Sequence, residues 1–149
     1  MGLIVLADAD ELSAAATVDT LMGAGHAVAR FANSAQTLEA IRFRQPHCVI
    51  LDSHLPGGAM RTLRVIRQNY GSACLPVVMQ AHPDATSACR TIRSEGVNAV
   101  LAKPASEDEL IWQVSKLVVL ARRTICSTPR PAAMPTLPIR AAGVARRFC

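Results

Sequence analysis

Apolar residues along this chain come in short blocks that stop at polar residues, with segments of helical period between them. Leu3 to Ala7 is almost wholly apolar and ends at Asp8, the pattern of a parallel strand covered on both faces. Leu12, Ala15, Ala16, Leu21 and Met22 then recur near a helical period up to Gly25. Ala27 to Phe31 predicts a second strand, and Asn33 or Ser34 can cap a helix carrying Leu38 and Ile41 that stops before Pro46. Cys48 to Leu51 predicts a third strand, closed by Asp52. After the turn His54-Leu55-Pro56-Gly57-Gly58, the spacing predicts a helix over Met60 to Asn69 with Leu63 and Ile66 inward and Arg61, Arg64 and Arg67 outward. Pro76 to Met79 predicts a fourth strand, Ala85 to Glu95 a fourth helix closed by Gly96, and Asn98 to Ala102 a fifth strand. Ser106, three residues before Glu109, forms a capping-box start for a last helix that runs to about Arg122.

Five strands alternating with five helices predict an α/β fold, a doubly wound parallel sheet with helices on both faces. Such sheets place their sites outside the carboxyl ends of the strands. Asp8, Asp52, Ala81 and Lys103 all fall at those ends. No GxGxxG follows the first strand and no GxxxxGK[ST] occurs, so the familiar nucleotide cradles are missing.

Half of the residues are hydrophobic, enough for one large core in 149 residues, but only 3% are aromatic, which argues against a stacking platform for nucleic acid. The net charge of +5 suggests a polyanion partner until it is located. Residues 1–121 hold ten Lys/Arg against eleven Asp/Glu, whereas residues 122–149 hold six Arg and no acid. The basicity therefore belongs to a Pro-containing tail, read as flexible and extended, and 1–121 is the folded domain. Contact of that tail with nucleic acid is a weaker reading than a solvated basic tail. Cys48, Cys74, Cys89, Cys126 and Cys149 form no CxxC pair or zinc spacing, which suggests reduced thiols and a cytoplasmic setting. No apolar run is long enough to span a bilayer.

The runs LIVLADADEL, VILDSHLPGG, PVVM and GVNAVLAKP, in this order and with Asp52 and Lys103 51 residues apart, resemble the receiver domain of bacterial two-component response regulators over residues 1–121. The resemblance implies a CheY-like, flavodoxin-like sheet of order 2-1-3-4-5. It implies that Asp52 accepts a phosphoryl group and that Lys103, followed by Pro104, contacts the phosphoryl oxygens. It also implies that Asp8 and Asp52 help hold Mg²⁺. That chemistry has a physical basis: a carboxylate attacks an anionic donor poorly unless positive charge gathers the oxygens.

Three positions depart from the family pattern. Ala9 stands in place of the second acid, Ala81 in place of a Ser or Thr, and Val100 in place of the switch Tyr or Phe. Asp10 or Glu11 is the nearest replacement for the missing metal ligand, although both also suit the first turn of a helix. Gln80 or His82 is the nearest replacement for the hydroxyl, against a plainer role as loop-facing polar residues. Mg²⁺ binding is thereby in doubt. The only enzymatic activity implied is autophosphorylation at Asp52 from a phosphodonor. Two functions follow: a phosphorelay receiver served by a histidine kinase or phosphotransfer protein, or a phosphorylation-independent pseudo-receiver that works as an interaction module. Either works through protein partners, including a second copy, over a surface expected to include Arg90, Arg93, Val100, Glu107 and Trp112, with Trp112 packed rather than exposed.

Overall fold

The structure, a computed structural model, describes residues 1–83, 92–93 and 95–124. In chain order the elements are β1 (Leu3–Ala7), α1 (Glu11–Gly23), β2 (Ala27–Phe31), α2 (Ser34–Arg44), β3 (Cys48–Asp52), α3 (Ala59–Asn69), β4 (Val77–Ala81), β5 (Ala99–Ala102) and α4 (Glu107–Arg123). All strand pairs are parallel and the sheet order is β2-β1-β3-β4-β5, as expected. Most of the helix expected over Ala85 to Glu95, with Arg90, lies outside the described residues, as do the tail residues from 125 onward.

The period-two alternation of the strands divides the core. Val5, Val49, Leu51, Val77 and Met79 point to one face, where Ile41 of α2 and Leu63 and Ile66 of α3 pack on them. Ile4, Leu6, Ile50, Val78 and Leu101 point to the other, against Leu21 of α1 and Leu110, Val114 and Leu117 of α4. Each fully buried Leu or Ile here contributes about 2 kcal/mol of hydrophobic stabilisation, which explains how a sheet with almost no aromatic residues holds together.

Helix α1 departs from its expected face. Its side chains turned to the sheet are Ala14, Thr17 and Leu21, while Leu12 and Met22 are exposed. Asp10 fixes this phase by accepting from the backbone N–H groups of Leu12 and Ser13, so the helix starts at Glu11. Asn33, and not Ser34, caps α2 by accepting from Gln36 N–H. Ser106 caps α4 through Glu109 N–H. Strand β4 runs two residues further than Met79, which brings Gln80 and Ala81 into the sheet.

Arg67, expected to face outward, is instead a staple. Its Nε donates to Gly96 O at 2.8 Å, its Nη1 to Leu75 O at 2.8 Å, and its Nη2 to Asn98 Oδ1 at 2.9 Å. Asn98 Oδ1 also accepts from Val77 N–H, so one guanidinium ties the end of α3 to the segments entering β4 and β5. Gly96 has φ +96, and a Cβ there would meet the Arg67 side chain at 3.2 Å. Burial lowers the Arg67 pKa to about 10, which leaves it charged at neutral pH.

At the amino ends of the strands, the buried His26 accepts Gly2 N–H on Nδ1, and His47 accepts Leu3 N–H on its own Nδ1. Cys48 is a free, buried thiol whose pKa burial pushes up to about 12. Cys74 is disulfide-bonded, so the expectation of reduced thiols holds for Cys48 and fails for Cys74. No helix among the described residues is long and apolar enough to cross a membrane.

Candidate functional site

The parallel register brings the polar strand ends together. Asp8 follows β1 and Asp52 ends β3, and both point to the α1/α4 side because they continue the parity of Ile4 and Leu6 and of Cys48 and Ile50. Lys103 follows β5, with its backbone N–H on Ala81 O, and the Lys103-Pro104 peptide is cis. Its ammonium reaches Asp8 Oδ2 at 3.0 Å and Asp52 Oδ1 at 3.3 Å. Asp8, Asp52 and Lys103, separated by up to 95 positions, thus form one buried cluster.

Asp8 is fully buried, and its surroundings explain how it stays ionised. Burial pushes its pKa up, but the Lys103 ammonium, the Asp10 backbone N–H on Oδ1 and the neighbouring Ser13 outweigh this and hold it below the usual carboxylate value. Arg30 Nε donates to the Asp8 backbone oxygen at 2.9 Å and ties the β1 end to β2.

His82 joins the cluster. Its Nε2 lies 2.8 Å from Asp52 Oδ1. The approach is off the line of a hydrogen bond, so neither atom has an aligned partner, and the contact is close without being directional. The His82 ring stacks on His54 with centroids 3.7 Å apart and planes 6° from parallel. Its backbone N–H donates to Ser53 Oγ at 3.1 Å, so Ser53 and His54 of the turn after β3 position both ends of the residue. Ala81, next to it, supplies no hydroxyl. Neither Gln80 nor His82 is a loop-facing bystander: Gln80 is a buried β4 residue paired in register with Asp52.

The arrangement leaves few oxygens open to a resident Mg²⁺, whose binding here is doubtful. The ion takes near-octahedral oxygen coordination. Here both oxygens of Asp8 are engaged, and Asp52 Oδ1 faces Lys103 and His82. Ala9 is exposed and offers no side-chain oxygen, Asp10 caps α1, and Glu11 is exposed in the first turn. No group of three or more His, Cys, Asp or Glu side chains placed to hold a metal occurs among the described residues.

The sheet order and the acid pair facing a lysine coincide with a family match over residues 4–115 to the response regulator receiver domain. The chain belongs to that family. The receiver domain is 29% identical over 119 residues to the DNA-binding transcriptional regulator NtrC of Escherichia coli, covering 78% of this chain and 25% of NtrC. It is 29% identical over 124 residues to the sensory/regulatory protein RpfC of Xanthomonas campestris, covering 80% of this chain and 17% of RpfC. The chain thus spans a quarter or less of these curated relatives. Among solved structures, a putative response regulator from Chloroflexus aurantiacus is 28% identical with a TM-score of 0.74, covering 79% of this chain and 98% of that one.

Four further positions belong to the surface expected to meet partners. Val100 is half-buried against the α2/α3 side of the core, where an aliphatic side chain has no ring to swing. Trp112, expected to pack, is 61% exposed, and Lys116 Nζ sits 4.1 Å from its ring centroid. Arg93 and Glu107 are also exposed.

Proposed function

We propose that this receiver domain serves phosphorelay signalling, with Asp52 as the phosphoacceptor and Lys103 and His82 as the groups that meet the phosphoryl oxygens. The observation that carries the reading is the convergence of Lys103 Nζ and His82 Nε2 on Asp52 Oδ1. In the transfer, an Asp52 carboxylate oxygen bonds to phosphorus while the phosphorus–nitrogen bond of a donor phosphohistidine breaks. The donor imidazole leaves with the electron pair and takes up a proton. Positive charge close to the accepting oxygen is what such an attack on an anionic donor requires. The partners on this reading are a histidine kinase or phosphotransfer protein in the cytoplasm.

A second reading is favoured by the side chains at positions 9, 81 and 100. With alanine, alanine and valine there, the fold persists as an interaction module whose surface does not answer to phosphorylation. Intact-mass measurement separates the two. The full chain is incubated with acetyl phosphate or phosphoramidate, with Mg²⁺ and separately with EDTA. The phosphorelay reading expects a gain of one phosphoryl group that Asp52→Asn abolishes. No gain from either donor, or from a phosphorylated histidine-phosphotransfer protein, leaves the interaction module.

A further inference from the structure

Helix α4 buries Leu110, Val114, Leu117 and Val118 against the sheet, so a helix that ends its contacts there carries polar residues on its outward face. This one does not. Trp112 is 61% exposed and Val119 46%, two turns apart on one outward stripe. With Asp108, Ile111, Ser115 and Lys116 they line an open hollow of about 400 Å³. The lining makes two successive holes, the first from Asp108, Ile111, Trp112 and Ser115 and the second from Trp112, Ser115, Lys116 and Val119. Four residues at this spacing are what receives a side chain from a facing helix.

Charge decides which helix fits. The first turn of α4 is acidic, with Glu107, Asp108 and Glu109, and the last turn is basic, with Arg122 and Arg123. That order suits the dipole of the helix, and it also makes the helix complementary to itself run backwards. A parallel pair would set acids on acids and arginines on arginines. In an antiparallel pair with a two-fold axis between Ser115 and Lys116, Asp108 comes opposite Arg123 of the second copy, and Trp112 comes opposite Val119 of the second copy. Both Asp108 and Arg123 are exposed, and the symmetry makes each pairing twice.

We propose that α4 is a self-association surface, on which two copies of this chain pair through antiparallel α4 helices. Val119 of each copy enters the first hole of the other, beside Trp112, and Asp108 faces Arg123. The small Ser115 sits at the axis and lets the backbones approach. Lys116 is turned back over the Trp112 ring, its Nζ 4.1 Å from the centroid, and so away from the axis. The pair uses neither Asp52 nor a phosphoryl group, so it goes beyond the phosphorelay reading and forms in the unphosphorylated chain. One helix face is small beside a standard interface of about 1,600 Å², so the dissociation constant is expected in the micromolar range.

The test is sedimentation velocity of the full, unphosphorylated chain over a dilution series that extends through the high micromolar range, with free thiols alkylated to exclude dimers cross-linked through cysteine. A monomer–dimer equilibrium is expected. Trp112 is the single tryptophan, so its emission should shift to the blue as the dimer forms. Asp108→Arg and Arg123→Asp should each weaken the dimer about tenfold by setting like charges opposite one another. Their combination should restore it, because the charges are then exchanged and not lost. Val119→Glu, at an exposed position, should abolish the dimer while the far-UV circular dichroism of dilute protein stays that of the parent. The proposal is overturned if the alkylated chain stays monomeric throughout the series, if a dimer forms without the Trp112 shift, if Val119→Glu leaves it intact, or if the combined exchange dimerises no better than the single variants.

Discussion

Removing Lys103 should expose how much of the domain's stability depends on one ammonium group. Its Nζ lies 3.0 Å from Asp8 and 3.3 Å from Asp52, with both acids almost fully buried. At an effective dielectric of 20, each contact is worth roughly 5 kcal/mol of Coulomb attraction before desolvation is charged against it. Desolvation of the lysine offsets much of this, and breaking such a buried group by removing one partner costs about 3–5 kcal/mol. Lys103→Met should therefore destabilise the domain by about that much near neutral pH. Asp8→Asn combined with Lys103→Met should recover a large part, because the double variant leaves one fewer buried charge uncompensated. The pH dependence follows from the direction of the Asp8 shift. In the parent its pKa is lowered, so its contribution is present above the unfolded value of 3.8 and is lost as pH falls through the folded value. In Lys103→Met burial acts without its main offset, so acid favours the variant's folded state and the two stability curves converge on acidification. The assay is urea unfolding followed by far-UV circular dichroism, since Trp112 is 61% exposed and reports poorly on the core. A loss under about 1 kcal/mol, or one that does not shrink as pH falls, refutes the argument.

Two other outcomes rest on separate parts of the fold. His26 and His47 both have pKa values lowered first by burial, and each uses Nδ1 as an acceptor for the start of β1. Their contribution is full above the unfolded value of 6.5 and is lost as pH falls below it, so the hydrogen-exchange protection factors of Gly2 to Ile4, taken relative to the intrinsic rate at each pH, should fall in mild acid, and His26→Gln with His47→Gln should flatten that dependence. Arg67→Met should cost about 2–4 kcal/mol in urea midpoint analysis, because it leaves Gly96 O and Leu75 O without their charged donor; a loss within about 0.5 kcal/mol would show that water replaces the guanidinium freely.

The strands were legible because a sheet buried on both faces must be written as short apolar runs, and β1, β3 and β5 are closed by Asp8, Asp52 and Lys103. Helix α1 was misread in phase because its alanines satisfy several faces equally. Its true phase comes from Asp10, a cap that fixes the first turn irrespective of which apolar residues follow. Arg67 looked solvent-facing from its spacing, since helical period says nothing about a long side chain that reaches along the protein to carbonyl groups at 2.8 Å. Asp8, Asp52 and Lys103 were legible as a group because parallel register forces strand ends to one edge. The contacts of His82 with Asp52 and His54 were not, because they depend on how the turns after β3 and β4 lean together. Gln80 did leave a sign, an amide continuing the parity of Val78 once β4 is allowed to run to Ala81.

Arg67 also gives the sheet a mechanical property. Through Leu75 O on the way into β4 and Gly96 O and Asn98 on the way into β5, a single side chain sets where both strands begin relative to α3. Because a strand transmits a shift along its length, the far ends that carry Gln80, Ala81 and Lys103 inherit their stagger from this one anchorage. Sliding α3 along its axis would carry both strand ends as a pair rather than open a step between them. The placement of Lys103 in the Asp52 cluster is thus gauged from the amino ends of β4 and β5, one strand length away from the chemistry it serves.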